Sequence, residues 1–149
     1  MNMLKLKLIT VTGVAAGALT YLFGAWNAAM ATLIIFMAVD YVTGLVVAGI
    51  FHNSPKTAEG TLESLAGWKG ICRKGMTLLV VLIAHRLDLA VGTAFIRDAV
   101  VFGYIANETV SIIENAGLMG IPMPSAIKKA VEILKTKESE VHGNESFRN

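Results

Sequence analysis

Four long apolar runs, parted by short polar stretches, set the pattern of the chain. They cover about residues 8–23, 28–51, 76–96 and 98–119. A helix needs roughly 20 mostly apolar residues to cross the hydrocarbon of a bilayer, and each run is near that length. Spans must be helices or a closed barrel, because lipid offers the backbone no partner. The runs show no period of two, and Ala, Leu and Met are frequent in them, so the barrel is set aside. The pattern predicts an all-α integral membrane protein with four transmembrane helices in residues 1–123.

The polar stretches carry their own signals. Residues 52–75 are too polar to span, but Leu65, Trp68 and Cys72 fall on one helical face with Lys69 and Arg73 beside it. That predicts a helix at the inner interface, anchored by Trp68, Lys69, Arg73 and Lys74. Gly60, Gly67, Gly70 and Gly75 fit a solvated loop equally well. Further on, Gly120-Ile121-Pro122-Met123-Pro124 breaks the helix. Ile127, Ala130, Val131 and Leu134 then recur opposite Lys128, Lys129, Glu132 and Lys135. This predicts a basic amphipathic helix over 124–137 on the anionic inner leaflet, followed by a disordered polar tail over 138–149.

Composition strengthens the membrane reading. Hydrophobic types make up 54% of the 149 residues and charged types 16%, against about a quarter charged in soluble domains. Mean hydropathy is +0.61. The first run also fits a secretory signal, with Ala29-Met30-Ala31 as the cleavage site, but a second span follows it directly, which favours an uncleaved first helix.

The thirteen Lys and Arg residues are clustered. Lys5 and Lys7 precede the first run, Lys56, Lys69, Arg73 and Lys74 precede the third, and Lys128, Lys129, Lys135, Lys137 and Arg148 follow the fourth. Basic residues collect on the cytoplasmic side, so four spans with both termini in the cytoplasm are expected. No basic surface interleaved with aromatics suggests nucleic acid. One cysteine, Cys72, forms no intrachain disulfide, and His52, His85 and His142 lack paired metal spacing. No metal, cofactor or enzymatic chemistry is expected.

Ionisable and polar residues interrupt the runs: Asp40 in the second; His85, Arg86 and Asp88 in the third; Asn107, Glu108 and Glu114 in the fourth. A charge at mid-bilayer costs about 2.5–3.5 kcal/mol on insertion scales, so such residues face protein or water. Two readings of this belt stand. Arg86 pairs with Asp40 or Glu108 and clasps the bundle, or the belt lines water once copies assemble. Small residues offer packing faces at Gly13 and Gly17, and at Ala99, Gly103 and Ser111, whose i+4 stripe passes through Asn107.

Several pieces together resemble a known family. They are Asp40-Tyr41-Val42-Thr43-Gly44-Leu45, then Arg73-Lys74 between Gly70 and Gly75, then Leu87-Asp88. Tyr104-Ile105-Ala106-Asn107-Glu108, Ser111-Ile112-Ile113-Glu114-Asn115 and the Gly120 to Pro124 break complete the set. Over residues 30–135 the chain resembles the toxin-secretion/phage-lysis holin family. The resemblance implies a homo-oligomeric protein of the bacterial cytoplasmic membrane that forms lesions at a set time. An endolysin then passes through to the peptidoglycan without required contact with the holin. Some relatives are linked to toxin release, and Met1-Asn2-Met3 fits the paired start codons of some holins. Two other classes are weighed beside it: a small transporter or channel, and a structural scaffold subunit.

Overall fold

The computed structural model describes residues 2–127 together with Lys129, Glu132 and Ile133. Four α-helices follow one another: α1 (Met3–Phe23), α2 (Ala28–Gly49), α3 (Ser64–Val91) and α4 (Ile96–Leu118). No strand occurs among the described residues. Residues 125–127 are again helical, but half of the expected 124–137 helix, Lys128 with it, and all of the 138–149 tail lie outside the described residues. Two helices, α1 and α2, are long and apolar enough to cross a membrane.

The helices are bounded by local chemistry. The Asn27 side chain accepts from the Met30 amide at 2.9 Å and caps α2. Gly92, with φ of 77°, ends α3 in the left-handed region. That stop falls inside the 76–96 apolar run, so the run is divided by a turn rather than helical throughout. At its other end α3 begins at Ser64, well before the run. The stretch expected as a separate interfacial segment is therefore partly the first three turns of α3. Its 28 residues extend about 42 Å at 1.5 Å per residue.

Each packed helix buries a seam spaced in steps of three and four. On α2 the buried positions are Met30, Leu33, Met37, Asp40, Val47 and Ala48. On α4 they are Arg97, Val101, Glu108 and Asn115. On α3 Val81, Ala84 and Asp88 are buried, with Lys74 and Thr77 half-buried on the same line. Such spacing is the signature of ridges on one helix fitting grooves on the next at a shallow angle. Helix α4 is central: it packs along α2 and α3, while α2 and α3 touch only narrowly. Helix α1 leans on α3 and buries no residue of its own.

The seams divide the bundle into layers. Met30, Leu33, Met37, Val81 and Val101 form the apolar core, flanked by Phe23, Ile34, Leu78, Tyr104 and Ile105. This core sits toward the end holding the α1–α2 and α3–α4 turns, called here the turn end. Beyond it, toward the opposite end, the seams become polar.

Candidate functional site

The polar layer is built from α2, α3 and α4. The Lys74 Nζ donates to Asp40 Oδ2 at 2.9 Å and to Glu108 Oε2 at 2.6 Å. Asp40 and Glu108 are nearly sealed, at 8% and 5% exposure. The second Asp40 oxygen, Oδ1, accepts from Asn115 Nδ2 at 3.1 Å. The same amide reaches the Asp40 carbonyl at 3.3 Å and Thr43 Oγ1 at 2.9 Å. Two carboxylates share one ammonium, which leaves the cluster one formal negative charge in excess.

Helix geometry explains the meeting. Asp40 lies twelve residues into α2 and Glu108 twelve into α4, about 18 Å from the turn end at 1.5 Å per residue. Lys74 lies farther from that end, seventeen residues before Val91. A lysine stem carries its charge away from its own backbone, so the ammonium reaches back to the carboxylates. Removing one partner of a buried ion pair costs about 3–5 kcal/mol, because the other charge is left uncompensated. Here one ammonium serves two helices at once.

A second polar site closes the turn end. Asp88 Oδ1 accepts from Thr93 Oγ1 at 2.7 Å and from the Ile96 amide at 3.0 Å, and Oδ2 accepts from the Arg97 amide at 2.8 Å. A carboxylate on the first amides of a helix satisfies open donors and suits its dipole. This starts α4 two residues ahead of the expected run. The Arg97 side chain donates from Nη2 to the Ala25 carbonyl at 2.8 Å, tying the α1–α2 turn to α4.

Helix α1 is held by lighter contacts. The Arg86 guanidinium stands 5.5 Å from the centroid of the Tyr21 ring, a cation–π arrangement. At Gly24, φ is 78° and an added Cβ would come within 2.9 Å of the His85 ring. Glycine alone fits both the backbone and the space.

The belt read from sequence is thus divided. Asp40 and Glu108 meet in the cluster, but their cation is Lys74, expected as an interface anchor, and not Arg86. Arg86 faces α1 instead, because five residues from the Val81 seam turn the helix about 140° away from it, and the His85 ring lies against Gly24 in the α1–α2 turn. Asp88 lies at the turn end and caps α4. Asn107 is exposed beside the cluster, and Glu114 is exposed on another face of α4. Asn115, Thr43, Arg97 and Tyr21 were not singled out as site residues. Asn115 carried a usable signal, since seven residues from Glu108 bring a side chain back within about 20° of the same face. Gly13, Gly17 and Gly103 have open space where a side chain would stand, and Ala99 is exposed while Ser111 is half-buried. Trp68, Lys69, Arg73 and Lys129 are exposed.

Comparison with known proteins decides what this bundle is. The model of the bacteriophage holin family matches residues 17–136. The chain belongs to that family. A probable holin of Bacillus phage phi105 is 28% identical over 121 residues, covering 80% of this chain and 83% of the phage protein. An uncharacterised protein of Halalkalibacterium halodurans is 41% identical over 133 residues, covering 85% of this chain and 93% of that protein. An uncharacterised protein from the nagH 3′ region of Clostridium perfringens is 38% identical over 121 residues, covering 80% and 86%. No solved structure matches. The whole Lys74 cluster lies within the stretch that the holin family model covers. A holin with two helices of spanning length and composition is a membrane protein.

Proposed function

We propose that this chain is a lysis holin. It accumulates in the bacterial cytoplasmic membrane as a four-span protein with both termini in the cytoplasm. At a critical density its copies form lesions through which an endolysin reaches the peptidoglycan. The action is physical rather than enzymatic: no covalent bond is made or broken.

The Lys74 bridge between Asp40 and Glu108 carries this reading. Three mid-depth charges with no partner would resist insertion, since each costs about 2.5–3.5 kcal/mol. Joined in one buried cluster they allow a quiet, inserted form. The same groups hydrate well, so a rearranged assembly can turn them toward water. Repacking needs partner helices, and the open faces at Gly13 and Gly17 on α1 and at Ala99 and Gly103 on α4 offer small-residue contacts for other copies. The proposed partners are other copies of the chain and the anionic inner leaflet. The endolysin is served without direct contact, and nucleic acid has no part.

Induced expression in bacteria with and without a cytoplasmic endolysin tests the proposal. Abrupt loss of viability from the holin alone, with lysis only when the endolysin is present, is the expected result. Selective ion flux in cells that stay viable would overturn it.

A further inference from the structure

Away from the turn end, a cleft of about 370 Å³ opens between α2, α3 and α4 beneath residues 54–63. Its inner wall is the Lys74 cluster, whose charges are engaged with one another. The mouth differs. Lys56, Lys69 and Arg73 line it, and none of them makes an ion pair among the described residues. Glu63 is the one carboxylate at the mouth, so the rim holds three positive charges against one negative.

The rim is also held in place. Asn53 donates to the Leu118 carbonyl at 3.2 Å, fastening the connecting segment to the end of α4. Ser54 donates its amide to the Gly60 carbonyl at 3.1 Å, and Gly60 has a φ of 73°. A Cβ there would collide with the His52 carbonyl. Within this fold Thr57 lines the cleft, while its hydroxyl oxygen is turned away from solvent and has no hydrogen-bond partner among the described residues. Apolar surface adjoins the rim: Leu62 lines it at 55% exposure, and Trp68, beside Lys69, is 63% exposed.

We infer that this cleft binds the phosphate headgroup of an anionic glycerophospholipid from the inner leaflet. Lys69, Arg73 and Lys56 hold the phosphate, and the acyl chains run along Leu62 and Trp68. The shape suits such a ligand, since sites for small molecules occupy about 300–1,000 Å³. Basic pockets between helices on the cytoplasmic side are a general means of headgroup recognition. The inner-leaflet source rests on the four-span orientation proposed above, whereas the phosphate chemistry does not.

The test uses the full chain in nanodiscs of phosphatidylglycerol and phosphatidylcholine in equal parts, with the retained lipid read by native mass spectrometry. Selective retention of phosphatidylglycerol is expected, weakened about fivefold for each cation removed in Lys69→Gln and Arg73→Gln. Lys5→Gln/Lys7→Gln, with the same loss of charge on α1, is expected to change nothing. Equal weakening by both pairs of substitutions, or no selectivity in the wild type, overturns the site. Circular dichroism confirms that each variant keeps its helix content. Displacement of the lipid by millimolar inorganic phosphate would overturn the lipid as source in favour of a soluble phosphate. Orientation is checked separately at Cys72, the one cysteine, which is exposed. A membrane-impermeant maleimide is expected to label it only in inverted vesicles. Labelling from the outer face overturns the inner leaflet as source and the topology with it, while the nanodisc result still judges the phosphate site.

Discussion

The Asn115 amide reaches Asp40 twice, at the side-chain Oδ1 and at the backbone carbonyl. Asp40 sits mid-way along α2, and Asn115 lies three residues before the end of α4. The contact therefore locks the sliding register of the two most closely packed helices as well as feeding the Lys74 cluster.

Asn115→Leu removes that lock. Hydrogen bonds between membrane helices average about 0.6 kcal/mol, but this amide serves a carboxylate, and loss of a partner to a buried polar group costs about 1–3 kcal/mol. The larger range is expected. The unfolding midpoint of the detergent-solubilised protein should fall accordingly, with Thr43→Val showing a smaller change. A midpoint for Asn115→Leu equal to wild type would show that the contact is not made in solution.

Lys74→Met is expected to be the most damaging single change. It strands Asp40 and Glu108 together in the seam, at about 3–5 kcal/mol, and should lower the level of inserted protein. Neutralising the cluster as a whole, in Lys74→Met/Asp40→Asn/Glu108→Gln, should restore much of the level. Arg86→Met should leave it nearly unchanged. Immunoblots of membrane fractions read all three, and an Arg86→Met loss as large as that of Lys74→Met would contradict the pairing.

Asp88→Ala opens the start of α4. Loss of a side-chain cap costs about 0.5–2 kcal/mol. The Ile96 and Arg97 amides should exchange with solvent faster, while those around Gly44 keep their protection. Hydrogen exchange by mass spectrometry is the measurement.

Tyr21→Leu tests the hold on α1. A cation–π contact at an exposed site contributes about 0.5–1 kcal/mol, and α1 has no fully buried residue to hold it otherwise. Disulfide cross-linking between cysteines placed on α1 and α3, with Cys72→Ser as background, should weaken in Tyr21→Leu and persist in Tyr21→Phe. Equal cross-linking in both variants would assign the hold to other contacts.

Much of this architecture was legible in the sequence, and the exceptions have physical causes. Helix content, the α1–α2 boundary and the shared depth of Asp40 and Glu108 follow from apolar runs and a fixed rise per residue. The cation did not follow. Lys74 stands at the edge of a polar stretch, beside Arg73, and reads as an anchor until α3 is known to begin at Ser64. Its place on the seam with Thr77, Val81, Ala84 and Asp88 then becomes plain. The third run failed for the opposite reason: its apolar character continues through a turn, since Asp88 supplies the helix start that no residue between Gly92 and Phe95 provides. Asp88 looked like a mid-membrane charge because a capping role depends on residues eight and nine positions later.

The seams also give meaning to the number of residues between contacts. Glu108 and Asn115 serve one face only because a heptad separates them. A single residue inserted between them would swing everything beyond it by about 100° and carry Asn115 off Asp40, though no contact residue had changed. Seven inserted residues would keep the face but lengthen the helix by about 10 Å, pushing the α4 terminus past the segment that Asn53 fastens. Spacing in α4 is thus a constraint in its own right, and length variation should be tolerated beyond Gly120 and not before it.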